Sequence, residues 1–284
     1  MWIVKLGGSL ADTADLQSWL GVLACFGGGR VIIVPGGGPF ADQVRRSQDL
    51  WGFNDRTAHR MALLAMDQYG LMMTGIRSDL KPAASAAALE QVLSQAGVAV
   101  WLPSAMTTDN PSIPESWDLT SDSLAAWLAN ALNAKMLLLV KSVQLSESVI
   151  TAVKMSGRGW VDPMFPVMTA EGKYETRLMA KNQFDMMERM LLTGMMAGTV
   201  VRTGLPGVAV RSKATGRRRK TLPHQQERGR GSENVSYSMP QQPGTPYCAC
   251  GILDAEWVAS PLAGSPRTLS SGCGSSSTAV RAEE

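Results

Sequence analysis

The chain has 284 residues, of which 45% are hydrophobic, and a formal net charge of +3 from 27 Lys and Arg against 24 Asp and Glu. This length allows one large domain or two small ones, and because the residues before 211 are close to neutral, nucleic-acid binding gains no support. No apolar run reaches the length of a membrane span, so we expect no membrane partner. The four cysteines form no disulfide framework, which favours the reducing cytoplasm.

The chain opens with a predicted strand, glycine turn and helix. The apolar strand Trp2 to Val4 leads into Lys5-Leu6-Gly7-Gly8-Ser9, and an amphipathic helix follows. Adjacent glycines expose backbone N–H groups that no side chain screens, so phosphate oxygens can approach this turn closely.

A second unit of the same kind comes next. The buried strand Val31 to Val34 ends at Pro35-Gly36-Gly37-Gly38-Pro39, and a helix is predicted from Pro39 to Arg46. The positive end of this helix dipole points at the glycines, which makes the turn a candidate phosphate or acceptor cradle. A merely flexible turn is the alternative, but the flanking strand and helix disfavour it.

The remaining predicted elements continue the alternation of strands and helices. Helices are predicted at Asp55–Ile76, Pro82–Gln95, Thr120–Asn133 and Asn182–Met196, strands at Val98–Leu102, Met136–Lys141 and Gly198–Thr203, and a loop at Val161–Val167. This order predicts an α/β fold with a mainly parallel sheet covered by helices on both faces, and ligands at the carboxyl ends of its strands.

Composition changes after Gly204, where Arg, Gly, Ser, Pro and Gln dominate without periodicity. We therefore predict a catalytic domain over residues 1–204 and a low-complexity, disordered tail over residues 205–284. The basic run Arg217 to Lys220 is more typical of a solvated cluster than of a contact with RNA or an anionic surface.

Phosphoryl transfer needs charge neutralisation more than a nucleophilic side chain. Lys5 ends the first strand and Lys141 ends the strand from Met136, so both ammonium groups fall at the same sheet edge. A carboxylate between them would hold both in place, and Asp122 is the candidate. Alternatively, Lys5 is a solvated edge lysine, while Thr120 or Ser121 caps a helix whose dipole the nearby aspartates complement.

Arg45 and His59 are candidates for the acceptor side. A guanidinium fork suits an acceptor that already carries phosphate, although a lone arginine on a helix usually faces solvent. His59 lies in an apolar helical stretch, where a satisfied core histidine is the commoner situation. The nearby apolar face around Met61 and Met66 predicts core or a subunit interface, and we expect a homo-oligomer.

Four motifs in this order resemble the amino-acid kinase superfamily. They are VKLGGSL at 4–10, VPGGGPFADQVR at 34–45, DLTSDSLAAWLA at 118–129 and LLLVKS at 137–142. The resemblance covers about residues 1–204 and implies a three-layer α/β/α sandwich and a kinase that uses ATP and Mg²⁺. The third motif and GFNDRTAHRMALLAMDQYG at 52–70 look most like the kinases of methanofuran biosynthesis, which phosphorylate [5-(aminomethyl)furan-3-yl]methyl phosphate to the diphosphate.

The resemblance implies a division of roles within the site. Lys5, Gly7, Gly8 and Ser9 would contact the nucleotide phosphates, Gly36, Gly37 and Gly38 the acceptor phosphate, and Asp122 would organise the lysines. It implies no metal ligand from the protein. One departure is Ser142-Val143-Gln144, because many superfamily members carry an acidic residue and glycine shortly after this strand. Lys141 is the candidate second phosphate lysine, with Lys154 and Lys173 as alternatives.

Other functions remain open at this point. The acceptor could instead be an amino-acid carboxylate, an isoprenoid phosphate or a nucleoside monophosphate. A nucleotide-binding module without transfer activity is the alternative from another functional class.

Overall fold

The computed structural model describes residues 1–204. The predicted tail at 205–284, with its basic run, lies outside the described residues. Within residues 1–204, a single sheet contains β1 (Trp2–Leu6), β2 (Val31–Pro35), β3 (Leu80–Ala83), β4 (Val98–Trp101), β5 (Met136–Lys141), β6 (Val149–Thr151), β7 (Glu175–Ala180) and β8 (Thr199–Arg202). The helices are α1 (Ala14–Phe26), α2 (Gly38–Trp51), α3 (Asp55–Ile76), α4 (Ala86–Ser94), α5 (Ser104–Thr107), α6 (Ser121–Ala131), α7 (Ala152–Gly157), α8 (Phe165–Thr169) and α9 (Phe184–Thr193), and a 3₁₀ turn spans Gly8–Leu10.

The strand order places the ends of three strands side by side. It runs β3-β4-β2-β1-β5-β7-β8-β6, and every described pairing is parallel except β7 with β8. Leu6, the last residue of β1, is paired with Pro35 of β2 and Val140 of β5. The first glycine turn, the second glycine turn and Lys141 therefore meet at one edge of the sheet.

Helices cover both faces of the sheet. Alternate strand residues such as Ile3 and Leu137 face one apolar core, in which α4, α6, α7 and α8 contribute side chains. Their neighbours Val4 and Leu138 face a second core built with α1 and α9. The predicted three-layer α/β/α sandwich with a mainly parallel sheet is therefore confirmed.

The predicted helix over Pro82–Gln95 is wrong in its first part. Residues Leu80–Ala83 form β3, and α4 begins only after Ser85, whose hydroxyl accepts a hydrogen bond from the Ala88 N–H at 3.2 Å. β3 is an edge strand, where Pro82 does not interrupt a hydrogen-bonded ladder on its outer side. The alanine-rich composition concealed this short strand.

The predicted loop over Val161–Val167 is also wrong in part, because it contains the start of α8. Pro166 lies in the first turn of α8, where its missing N–H breaks no helical hydrogen bond. The sequence also gave no indication of β6 or β7. These strands acquire their partners from segments far along the chain, since β7 pairs with β5 and β6 pairs with β8.

Candidate active site

The two glycine turns pack directly against each other at the carboxyl edge of the sheet. The N–H of Gly36 donates a hydrogen bond to the Leu6 carbonyl at 2.9 Å. A Cβ added to Gly8 would lie 2.5 Å from the Gly38 nitrogen, and one added to Gly36 would lie 2.4 Å from the Gly8 nitrogen. Side chains at Gly8 and Gly36 would force the two backbones apart, so their close approach requires glycine at both positions.

Each glycine turn also begins a helical segment. Gly8 opens the 3₁₀ turn, and Gly38, at φ +56°, opens the 14-residue helix α2. The first N–H groups of a helix have no partner within that helix, and they carry the positive end of its dipole. The two turns thus direct N–H groups toward the same region, where they can bind phosphate oxygens.

Asp122 bridges the two lysines that the sequence predicted would lie near it. Its Oδ2 accepts a hydrogen bond from Lys141 Nζ at 2.5 Å. Its Oδ1 lies 2.7 Å from Lys5 Nζ, in an ion pair whose angles fall outside those of a hydrogen bond. The side chains of Lys5 and Asp122 are only 4% and 5% exposed, against 15% for Lys141. Lys5 is therefore not a solvated edge lysine.

Burial and the neighbouring charges shift the pKa values of this cluster. Burial lowers the pKa of Lys5 to about 8; Asp122 opposes this shift and Lys141 adds to it. Burial by itself would raise the pKa of Asp122, but Lys141 and Lys5 outweigh it and lower that pKa to about 2. Asp122 is therefore ionised at neutral pH, and its negative charge lies between two positive ones.

Asp162 fixes the start of the helix that carries Asp122. Its Oδ2 accepts hydrogen bonds from the Thr120 N–H at 2.9 Å, the Thr120 hydroxyl at 2.8 Å and the Ser123 N–H at 3.1 Å. Its Oδ1 accepts one from the Ser123 hydroxyl. Thr120 occupies the N-cap position, but its own side chain does not cap α6, because the Asp162 carboxylate does so from outside.

Replacing Asp162 by alanine should destabilise the fold, because two buried donors of Ser123 and two partly buried donors of Thr120 lose their acceptor. We expect the free energy of unfolding to fall by about 2–3 kcal/mol, measured by urea denaturation. Asp162→Asn keeps one carbonyl acceptor and should lose less. The control is Asp185→Ala, which removes an exposed carboxylate from the first turn of α9 and should change stability by less than about 0.5 kcal/mol. Equal losses in the Asp162 and Asp185 alanine variants would contradict the prediction.

A cavity of about 360 Å³ opens beside the glycine turns. Ser121, the residue before Asp122, lines it and so connects it to the lysine cluster. Six of the predicted site residues line the cavity: Gly8, Ser9, Gly37, Gly38, Arg45 and His59. The other five, which are Lys5, Gly7, Gly36, Asp122 and Lys141, do not line it.

Arg45 is held at the rim of the cavity by two contacts. It forms an ion pair with Asp42 at 2.9 Å, and its guanidinium carbon lies 4.5 Å from the ring centroid of Trp117. The Arg45 side chain is 49% exposed. Arg45 is thus exposed to solvent but stacked on an aromatic ring, which fixes its position more than a free surface arginine.

His59 is buried in the cavity wall without being fully satisfied. The residue is 5% exposed, and its Nε2 has no hydrogen-bond partner among residues 1–204. Burial lowers the pKa of His59, while the backbone of Ser116 opposes this by favouring the charged ring. The ring is therefore neutral at pH 7. The sequence favoured a core histidine with its hydrogen bonds satisfied, and His59 differs from this because its Nε2 has no partner among residues 1–204.

The alternative phosphate lysines have other surroundings. Lys154 forms an ion pair with Glu147 at 2.9 Å. Lys173 lines a different depression together with Lys135, which precedes the first residue of β5 and so lies at the opposite edge of the sheet. Ser9 hydrogen-bonds through its hydroxyl to the Ser142 hydroxyl at 3.0 Å and thus links the first glycine turn to the end of β5.

The sequence of this chain has counterparts among known proteins. The sequence profile of the amino acid kinase family matches residues 1–145. The chain belongs to the amino acid kinase family. Members of this family are phosphotransferases, so this protein is a kinase, and the family implies that it uses a nucleotide and acts on a small substrate.

The chain resembles one known protein in sequence and two solved structures in fold. The chain is 27% identical over 183 residues to the [5-(aminomethyl)furan-3-yl]methyl phosphate kinase of Methanocaldococcus jannaschii, over 61% of this chain and 84% of the relative. The fold is similar to the crystal structures of uridylate kinase from Archaeoglobus fulgidus (TM-score 0.55, 16% identity, 71% of this chain and 99% of that one) and UMP kinase from Bacillus anthracis (TM-score 0.53, 16%, 71% and 95%).

Residues 1–204 contain neither a cluster of metal-binding side chains nor a membrane-spanning helix. Among residues 1–204, no group of three or more His, Cys, Asp or Glu residues is arranged to hold a metal ion. In the same part of the chain, no helix has both the length and the apolar character needed to cross a membrane.

Proposed function

We propose that this kinase transfers a phosphoryl group from ATP to a small acceptor that already carries a phosphate. The favoured acceptor is [5-(aminomethyl)furan-3-yl]methyl phosphate, which would give the diphosphate in the biosynthesis of a methanofuran-type cofactor. The observation that carries the proposal is the carboxylate of Asp122 between Lys5 and Lys141, next to two touching glycine turns. The identity with the archaeal furan phosphate kinase supports this acceptor.

The first glycine turn and the lysine cluster would bind the phosphates of the donor, ATP. Lys5 and Lys141 would neutralise the charge that develops on the transferred phosphoryl group, and Asp122 would keep their ammonium groups in position. Gly7, Gly8 and Ser9 would donate hydrogen bonds to phosphate oxygens. Mg²⁺, which binds few protein ligands when phosphates are available, would neutralise further charge on the nucleotide.

The second glycine turn and the cavity would bind the acceptor. The N–H groups at Gly37 and Gly38 would bind the acceptor phosphate at the start of α2, and Gly36, whose N–H donates to the Leu6 carbonyl, would hold the turn in place beside it. Arg45 would pair with that phosphate, and His59 Nε2 would exchange a hydrogen bond with the acceptor. The transfer is direct and in line, without a covalent intermediate on the protein.

The pKa of Lys5 predicts the pH dependence of the reaction. Because burial lowers this pKa to about 8, kcat/KM for ATP should fall as pH rises through about 8 and Lys5 loses its charge. Bound phosphates favour the charged lysine, so the same fall in kcat should occur at higher pH. Steady-state kinetics between about pH 6 and pH 10 measures the fall in kcat/KM and the fall in kcat.

Deprotonation of Lys5 does not lower activity by unfolding the protein. Between pH 8 and the ordinary Lys value of 10.5, the unfolded chain holds the Lys5 proton and the folded chain does not, so the Lys5 contribution to stability rises with pH. A value of kcat/KM that stays constant to about pH 9 would contradict the assignment of Lys5.

A panel of acceptors tests the proposed function. Purified protein is incubated with ATP, Mg²⁺ and either the aminomethylfuran monophosphate, glutamate, isopentenyl phosphate or UMP, and ADP release is measured. We expect the furan phosphate to give the highest kcat/KM. Turnover of glutamate alone would contradict a phosphorylated acceptor. ATP binding by calorimetry without turnover of any acceptor would favour the non-catalytic nucleotide-binding module.

We further propose that residues 1–204 constitute the catalytic domain of a cytoplasmic homo-oligomer. Leu64 and Leu71 lie seven residues apart on α3 and are 54% and 51% exposed, so one face of this helix presents apolar side chains to solvent. Light scattering of wild type and Leu64→Glu tests this. An oligomer that dissociates in the variant supports the proposal, and a monomeric wild type contradicts it.

A further inference from the structure

Residues 108–119, which we name the strap, connect α5 to α6 through turns and bends, and two of them, Trp117 and Leu119, line the cavity. Two arginines on α3 hold the strap. Arg56 forms ion pairs with Asp109 at 3.2 Å and Glu115 at 2.7 Å, and Arg60 pairs with Glu115 at 3.1 Å and also with Asp109. This network of crossed ion pairs attaches the strap to α3 at two points.

Trp117 attaches the strap to α2. Its indole Nε1 donates a hydrogen bond to Gln48 Oε1 at 2.7 Å, and the Arg45 guanidinium lies over its ring. Trp117 also lines the cavity. Arg45 therefore contacts the strap through Trp117, and His59 lines the same cavity as Trp117.

We propose that Trp117 determines acceptor specificity by two means, and this inference rests on the proposed function. It positions the Arg45 guanidinium for the phosphate of the acceptor, because an unstacked arginine would sample many rotamers at the rim. It also gives the cavity an aromatic wall that favours a flat, unsaturated acceptor body. The acceptor class is thus a phosphate monoester of a small planar ring.

The apolar part of the cavity wall agrees with this class of acceptor, while Asp12 and Asp42 also line the cavity. Apolar side chains line it on the sides formed by α3, the strap and α6, namely Leu63, Met66, Leu119 and Leu124. Its volume of about 360 Å³ is at the small end of the range for ligand pockets. A compact ring bearing one phosphate matches both properties, because its flat body can pack against these apolar groups.

Kinetics of Trp117 variants test the proposal. Trp117→Leu should raise the KM for the planar acceptor about tenfold and leave the KM for ATP unchanged, because only the acceptor side loses a contact. Trp117→Phe keeps a ring face and should raise the acceptor KM by no more than about threefold. The control Trp2→Leu removes a ring that stacks with Arg30 at the amino end of β1, and it should change neither KM.

A double variant separates positioning of Arg45 from a merely structural role. If Trp117 acts through Arg45, adding Trp117→Leu to Arg45→Ala should raise the acceptor KM less than it does in wild type. Equal rises in both backgrounds would overturn the positioning role, and an equal rise in the KM for ATP would overturn the specificity role. If Trp117→Leu fails to fold, a Trp117→Phe variant with a tenfold higher acceptor KM would overturn the role of the ring face.

Binding distinguishes failure of this inference from failure of the proposed function. Should wild type turn over no acceptor, calorimetry with the aminomethylfuran monophosphate replaces kinetics. Binding by wild type that is weakened in Trp117→Leu would support the inference and reject the kinase reaction on this compound. Binding equal in both would overturn the inference alone. No binding to either protein would overturn both.

Discussion

Replacing Lys5 by methionine is expected to lower kcat about 100- to 1,000-fold while the protein stays folded. Lys5 provides a buried positive charge at the sheet edge, where a low dielectric strengthens its interaction with phosphate oxygens. Methionine fills a similar volume, and Asp122 keeps its 2.5 Å contact with Lys141. We therefore expect the free energy of unfolding to fall by no more than about 3 kcal/mol, so that turnover suffers far more than stability.

The matched control for Lys5 is Lys135→Met. Lys135 is exposed and precedes β5 at the opposite edge of the sheet, so its loss should leave kcat unchanged. Initial rates at saturating ATP and acceptor, together with urea denaturation of both variants, complete the measurement. Full turnover by Lys5→Met would exclude Lys5 from phosphoryl transfer. A low kcat in Lys135→Met would indicate that the lower kcat of Lys5→Met comes from a general loss of positive charge.

Local patterns in the sequence were enough to predict that the two glycine turns, Lys5 and Lys141 lie close together. The glycine turns and Lys141 each follow a strongly apolar strand, and parallel strands end at a common edge, so their proximity follows from the topology. The bounds predicted for α3, Asp55 to about Ile76, agree with the structure, because the segment is a long run rich in Met and Leu that contains no proline.

Other parts of the fold and site depend on contacts that no local pattern encodes. Asp162 accepts hydrogen bonds from Thr120, 42 residues earlier, and only the fold brings them together. Trp117 lies between two helices, in a segment with neither helical nor strand periodicity, so nothing in the sequence connected it to Arg45. β7 was missed because its short, mixed sequence becomes a strand through pairing with β5 and β8.

The two glycine turns, which the sequence treats as separate cradles, form one structural unit. Gly8 packs against Gly38, and Gly36 packs against Gly7 and Gly8 of the first turn. The donor and acceptor phosphates would therefore bind to backbones that are in van der Waals contact. Such a unit fixes the separation of the two phosphates more firmly than two flexible loops, and phosphoryl transfer depends on this separation.

Replacing Gly8 by alanine should therefore damage both folding and turnover. The added Cβ would lie 2.5 Å from the Gly38 nitrogen and 2.9 Å from its Cα, and both are backbone atoms that cannot rotate away. We expect a loss of about 1–3 kcal/mol in the free energy of unfolding. In the molecules that fold, a displacement of the turns by about 1 Å should lower kcat about 100-fold.

Gly75→Ala is the control, because it makes the same chemical change where space is open. Nothing lies within 4 Å of a Cβ at Gly75, which is exposed near the end of α3. Alanine favours a helix over glycine, so this variant should gain about 0.5–1 kcal/mol and keep wild-type turnover. Urea denaturation and initial rates separate the two variants. If Gly8→Ala retained wild-type kcat, contact between the turns would not set the distance between donor and acceptor, and the two cradles would act independently.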